Sequence, residues 1–178
     1  YASGGWRATW RGEGGGVLMN QAPHQLDLLQ WLLGMPSQVR AFCGLGKYHT
    51  IQVEDEVTAY LAYAHGATGV FITTTGEAPG INRLEIVGTR ATLTLQQGEI
   101  TMARNEVDAR SFGETTDQPF GLPGVWQVQV PTPGVGGTHR EVAQNWVDAI
   151  LSGTPLIAPA HDALRAVELA NDMLYSHF

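Results

Sequence analysis

The sequence predicts an α+β fold, an open, mostly antiparallel β-sheet with helices packed on one face. Three observations carry that expectation. A strongly apolar helical stretch follows a glycine triplet in EGGGVLMNQAPHQLDLLQWLLG, residues 13–34. Seven short segments of period two come next, at 39–47, 57–63, 68–75, 82–87, 91–96, 99–103 and 125–130. Two further helical patterns close the chain. Strands gathered in a run between helices fit a sheet layered on helices better than alternating βα units.

Each element has a local cause. Pro23 suits a first helical turn, where backbone N–H groups lack intrahelical partners. Leu28, Leu29, Trp31, Leu32 and Leu33 give this helix a broad apolar face, so it is expected to be mostly buried. Gly34 and Pro36 end it. His65–Gly66 and Gln97–Gly98 read as hairpin turns, and the short spacing makes neighbouring strands antiparallel. VEDE at 53–56 reads as a turn before a strand, and 105–124 as a polar, irregular excursion. Thr138 and Glu141 form a T-x-x-E capping box. The helix behind it carries Val142, Trp146, Ala149 and Ile150 on one face and ends at Gly153. A last helix from about Pro159 places Ala163, Val167, Ala170 and Leu174 in register. No linker or repeat divides residues 1–178, which read as one domain. Strand residues such as Tyr60, Ala62, Phe71 and Thr73 alternate with neighbours that are also apolar or small. The sheet face away from the helices is therefore expected to meet a second subunit.

Composition narrows the function. Ten basic and seventeen acidic residues give a net charge of −7, with no basic cluster to meet phosphates. That disfavours nucleic acid and anionic membranes as partners. No apolar run approaches the ~20 residues that span a bilayer. The single cysteine, Cys43, excludes an internal disulfide and a cysteine-based zinc site, and fits a reduced, cytoplasmic setting. The chain starts without methionine and ends in an unterminated helix, so it is expected to be a fragment or a processed product.

His24 is the sharpest chemical candidate. Histidine titrates near neutrality, which suits moving a proton to or from a hydroxyl. The alternative is a buried histidine satisfied by a carbonyl. Asn20, four residues earlier, caps the helix, binds a substrate hydroxyl or orients His24. Asp27 holds the imidazole tautomer or simply favours the helix N-terminus. Arg7, Trp10 and His49 are candidate pocket-lining residues, the first two offering a hydroxyl-binding fork and a stacking face. Their plainer readings are surface charge and core anchor. His139 is expected to be solvated. His24, Asp27, His49, Glu54 and Asp55 show no metal-binding spacing such as H-E-x-x-H, so no metal is expected. GLG at 44–46 and GVGG at 134–137 lack the G-x-G-x-x-G pattern of a dinucleotide site.

Taken together, GGGVLMNQAPHQLDLLQWLLG, the WRATW before it, VEDEVTAY and the closing THREVAQNWVDAILSGTPL resemble the C-terminal domain of the Gfo/Idh/MocA oxidoreductase family. The resemblance implies a substrate and oligomerisation domain that works beside an N-terminal Rossmann domain, which this chain lacks. It implies hydride transfer between NAD or NADP, bound mainly by that other domain, and a sugar, inositol or related polyol. It implies an acid/base role for His24 and homodimers or homotetramers through the open sheet face. The family aspartate four residues before the histidine falls on Asn20, which cannot take a proton. The family lysine of an E-K-P motif has no counterpart; Lys47, the only lysine, does not match its position. The chain alone is therefore expected to be inactive. Two other readings stay open: a sheet-based binding or oligomerisation module without catalysis, and a relative that retains its NAD while cleaving or epimerising glycosides.

Overall fold

The protein was analysed as a computed structural model, which describes residues 5–132 and 139–178. These residues form seven strands and five helices. They fall into two compact units, one built from residues up to Ala78 and from His139 onward, the other from Pro79–Thr138.

The first unit holds helices α1 (Val17–Asn20), α2 (Pro23–Leu33), α4 (His139–Ser152) and α5 (Ala160–His177). Its sheet is antiparallel, in the order β1 (Gln38–Leu45), β2 (Glu54–Ala62), β3 (Thr68–Thr74). One sheet face presents Ala41, Cys43, Val57, Ala59 and Leu61 to α1, α2 and α5, which contribute Leu18, Leu26, Leu169 and Met173. Helices on one face of an antiparallel sheet are the arrangement the sequence predicts. The opposite face carries Phe42, Tyr60, Val70 and Ile72, all exposed, with Phe42 at 77%. The pairing Phe42–Thr58–Ile72 and Arg40–Tyr60–Val70 sets these side chains in two rows.

The second unit is a four-stranded antiparallel meander, β4 (Arg83–Val87), β5 (Ala91–Gln96), β6 (Glu99–Asn105) and β7 (Val125–Val130). Its register aligns Leu84, Leu95, Ile100 and Val130 in one row and Ile86, Leu93, Met102 and Val128 in the next. Alternate rows are polar, as in Glu85, Thr94, Thr101 and Gln129. Gln97 and Gly98 both take positive φ, the two-residue turn that their sequence predicts.

Several expectations change. Among the described residues the seven strands pair as two antiparallel ladders, one of three and one of four. VEDE is no turn: β2 starts at Glu54. The excursion contains α3 (Ala109–Thr115), whose N-cap Asp108 accepts from the backbone of Arg110 and Ser111. Helix α2 buries only Leu26 and Gln30, and Trp31 is 74% exposed. The core takes just one edge of its apolar surface. In α5 the buried stripe is Ala166, Leu169, Ala170, Met173 and Leu174, so Val167 faces outward and Ala163 is exposed. Helix α4 buries none of its residues, Trp146 included. It ends where expected, with Gly153 at positive φ donating to Ala149. Thr138 of the capping box and the GVGG run lie outside the described residues.

Candidate active site around the glycine triplet

The glycine triplet shapes the entry to α1. Gly14 has φ +77°, a conformation that side chains rarely adopt. Gly16 passes so close to β2 that an added Cβ would lie 1.9 Å from the Glu54 carbonyl oxygen. That approach lets the Glu54 carboxylate accept from the backbone N–H groups of Gly16 at 2.8 Å and Leu18 at 3.1 Å. Glu54 thereby satisfies helix donors that have no intrahelical partner. It is fully buried, and its Oε2 has no hydrogen-bond partner among the described residues. Burial pushes its carboxyl above the ordinary range, although backbone N–H groups, its own first and then those of Gly16 and Leu18, pull the other way.

Beside it, Asp55 shapes a loop. Its carboxylate accepts from the backbone N–H of Lys47, Tyr48 and His49 at 2.8–2.9 Å. Neither acid is obvious in the sequence as a structural anchor. The local signal is three carboxylates opening an otherwise largely apolar strand; the partners of Glu54 lie 36 and 38 residues away.

A third acid ties the N-terminal loop to the helix. Glu13 accepts from the Ala8 backbone N–H at 2.8 Å and from the Asn20 side-chain amide. The backbone bond to Ala8 leads in holding its carboxyl below the ordinary range, opposed by partial burial and aided by Asn20 and the Arg7 guanidinium. Ala8 itself sits at φ +55°. The loop carrying Arg7 and Trp10 is thus fastened to the turn before His24.

The six predicted site residues are placed unequally. His24 lies on the first turn of α2, exposed, and its ring makes no hydrogen bond among the described residues. This is not the buried, carbonyl-satisfied histidine of the plainer reading. Asn20 does not cap α2: the N-cap is Ala22, with no side-chain bond, and the Asn20 amide is turned to Glu13. Gln21 and Ala22 are both αR, so residues 20 and 24 follow each other by about one helical turn. Asp27 does not hold His24; it accepts from Gln30 at 3.0 Å. Arg7 lies over the Trp6 ring at 5.5 Å, and Trp10 meets Phe178 edge-on at 6.3 Å. The His49 ring nitrogen is 3.3 Å from the Thr75 carbonyl, which ties it to the end of β3. Lys47 pairs with Glu56 at 2.5 Å. His139 is exposed, as expected.

Two other features bear on ligands. A cavity of about 440 Å³ lies between α4 and the start of α5, lined by His139, Val142, Trp146 and Leu156, and none of the six residues borders it. A nicotinamide dinucleotide needs a glycine turn that delivers its pyrophosphate to a helix N-terminus. The GLG run ends β1 and leads into the loop held by Asp55, with no helix directly after it, so that run does not fit the group.

Residues 1–94 match the family model described as the GFO/IDH/MocA C-terminal domain. None of the curated proteins matches the sequence. Among solved structures, the fold is similar to the WlbA dehydrogenase from Chromobacterium violaceum in complex with NADH and UDP-GlcNAcA, with a TM-score of 0.74 and 25% identity over 99% of this chain and 48% of that one. A putative NADPH-dependent oxidoreductase from Desulfitobacterium hafniense gives 0.75 and 22%, over 98% and 49%. A levoglucosan dehydrogenase in complex with NADH and levoglucosan gives 0.70 and 22%, over 97% and 51%. The chain spans about half the length of these structures. No described helix is long and apolar enough to cross a membrane. The glycine-led helix, the buried acids beneath it and the match over residues 1–94 together make the chain a member of the Gfo/Idh/MocA family, through its C-terminal domain.

Proposed function

We propose that this chain is the substrate-side part of an NAD(P)-dependent oxidoreductase acting on a hydroxyl of a sugar, inositol or related polyol. The observation that carries the reading is His24: an exposed imidazole without a hydrogen bond among the described residues, one turn beyond Asn20, inside the segment that matches the family. Relatives of this fold were solved with NADH and sugar ligands, which supports the substrate class.

In this reading His24 takes the proton of the reacting hydroxyl. A ring with no hydrogen bond among the described residues is available for that transfer. Asn20 hydrogen-bonds a neighbouring substrate group but moves no proton. Arg7 and Trp10, on the fastened loop, contribute a donor fork and an apolar face, and His49 and Asp27 border the pocket. Nicotinamide, NAD or NADP, held outside the described residues supplies the hydride acceptor. The open sheet face joins copies of the chain as a dimer or tetramer, and the setting is cytoplasmic.

The test uses the intact gene product, NAD or NADP and a sugar and polyol panel. His24→Asn is expected to lower kcat by about 10²–10⁴-fold, the usual worth of general acid–base catalysis. Equal turnover by wild type and His24→Asn would sink the assignment. The exposed sheet face favours one rival, a binding module, which predicts no turnover with any of the panel. Substrate conversion without net NADH would point instead to an NAD-retaining relative.

A further inference from the structure

The Glu13–Asn20 contact explains how an asparagine stands where the family pattern has an aspartate. An ionised carboxylate only accepts hydrogen bonds, whereas an asparagine amide donates at its nitrogen and accepts at its oxygen. Glu13 has one oxygen on the Ala8 N–H and the other on the Asn20 Nδ2. The nitrogen end of the amide is thereby fixed towards Glu13, because the reversed amide would set oxygen against oxygen. Asn20 Oδ1 lies at the other end and has no hydrogen bond among the described residues. Glu13 is itself well anchored. Its backbone N–H donates to the Thr9 carbonyl at 3.0 Å, and the Thr9 hydroxyl accepts from Gly12 and donates to the Trp6 carbonyl. The depressed carboxyl of Glu13 agrees with a carboxylate that stays ionised and accepting at neutral pH.

We propose that Glu13 is the positioning residue of this site: by pinning the Asn20 amide nitrogen, it leaves Asn20 Oδ1 as an acceptor for a donating substrate group, a hydroxyl or an N–H. This rests on the reading of the His24 site given above. The negative charge of this contact is carried at position 13. An aspartate at 20 would set two carboxylates at hydrogen-bonding distance, where both cannot readily ionise. The two positions therefore form a matched pair, and the pair tolerates exchange: Glu13→Gln combined with Asn20→Asp keeps one amide facing one carboxylate.

The experiment compares wild type, Glu13→Gln, Asn20→Asp and the double variant in the intact gene product, with sugar turnover followed across pH 5–9. Asn20→Asp alone is expected to lose tenfold or more in kcat/KM at pH 8 and to recover part of it at pH 5, where one carboxyl takes a proton. The double variant should return to within a few-fold of wild type. Glu13→Gln alone should raise KM more than it lowers kcat, since the amide is no longer held one way round. A double variant no better than Asn20→Asp, or a loss in Asn20→Asp that ignores pH, would overturn the proposal. Thermal melts of the four proteins at pH 5 and 8 judge the pairing without turnover. Asn20→Asp should melt lower at pH 8 than at pH 5 relative to wild type, and the double variant should cancel that difference. Melts without such coupling overturn the pairing. Coupled melts in a wild type that oxidises no sugar or polyol keep the pairing and reject its role towards substrate, together with the oxidoreductase reading.

Discussion

Gly16 and Glu54 meet where the chain passes from loop into α1, and each is there because of the other. A side chain at 16 would collide with the Glu54 backbone, so Gly16→Ala must push β2 and α1 apart. Overpacking of this kind costs typically about 1–3 kcal/mol, and a fall in the urea midpoint with an unchanged slope would register it. Glu54 makes a second prediction, because burial raises its carboxyl above the ordinary value of 4.5. A raised folded-state value means that the stability tied to the protonated form is fully present below about 4.5 and is lost as pH rises through the raised value. Glu54→Gln keeps an oxygen for the Gly16 and Leu18 N–H groups and removes the ionisation. Its stability relative to wild type should therefore climb with pH across that window, by up to about 1.4 kcal/mol per unit, in denaturant titrations from pH 4 to 8. An unchanged difference across the window would contradict the assignment. The sequence shows Gly16 as one of three glycines and Glu54 as one of three acids. What singles them out is contact across 38 residues, which no local pattern reveals.

At the scale of elements, periodicity is a good guide where one face of an element has a fixed neighbour. The seven strands were legible because alternate residues along each share a face, and Gln97–Gly98 announced its own turn. The beginning of β2 was not, because charged residues inside a strand imitate a turn until their buried partners are known. Helix α3 was missed for the opposite reason: it is short, contains Gly113 and buries nothing, so no apolar stripe marks it. Its signal is Asp108, a favourable N-cap type followed by helix formers. The Thr89 hydroxyl contributes most to keeping the Asp108 carboxyl below the ordinary range, against slight desolvation and with help from two backbone N–H groups and Arg90. A depressed value means that this contribution is present above the ordinary carboxylate range and fades as pH falls through the depressed value. Asp108→Ala should accordingly speed amide exchange at Arg110 and Ser111 at neutral pH, and the gap to wild type should close in acid. Exchange that is equally protected in both proteins at neutral pH would remove the cap from the account.

For the whole molecule, the two apolar sheet rows of the first unit set the clearest test. Phe42, Tyr60, Val70 and Ile72 stand exposed along two aligned rows. Specific interfaces bury about 800 Å² on each partner, and a sheet face is a self-complementary surface for a two-fold contact. If copies of the chain join there, Ile72→Lys should convert the assembly to a smaller species in sedimentation velocity at micromolar concentration without lowering the melting temperature of the separated subunit. Unchanged sedimentation would place any assembly elsewhere. The fold class was legible because it follows from the order of periodic segments. The exposure of Trp31 and Trp146 was not, since greasiness shows that a face wants covering but not by what. His24 stands out in the sequence by residue type, and its place on the first turn of α2 was legible from Pro23. The roles given to Asn20 and Asp27 were not, because an amide or a carboxylate takes whichever partner folding brings within reach.

The edge strand β1 is closed by the last turns of α5. The Ala41 N–H donates to the Ser176 hydroxyl at 3.0 Å and the Cys43 N–H to His177 Nδ1 at 3.2 Å, across 135 and 134 residues. During synthesis, β1 leaves the ribosome long before α5 does. The second unit is continuous in sequence and can complete its meander first, while the open edge and apolar face of the first wait for the final helix. At roughly 5–20 residues per second, that wait lasts several seconds or more. Long-range closure of this kind slows folding and leaves an unpaired edge open to the wrong neighbour. Among the described strands, β1 therefore waits longest for its closing partner, and the last two turns of α5 are the step that ends the wait.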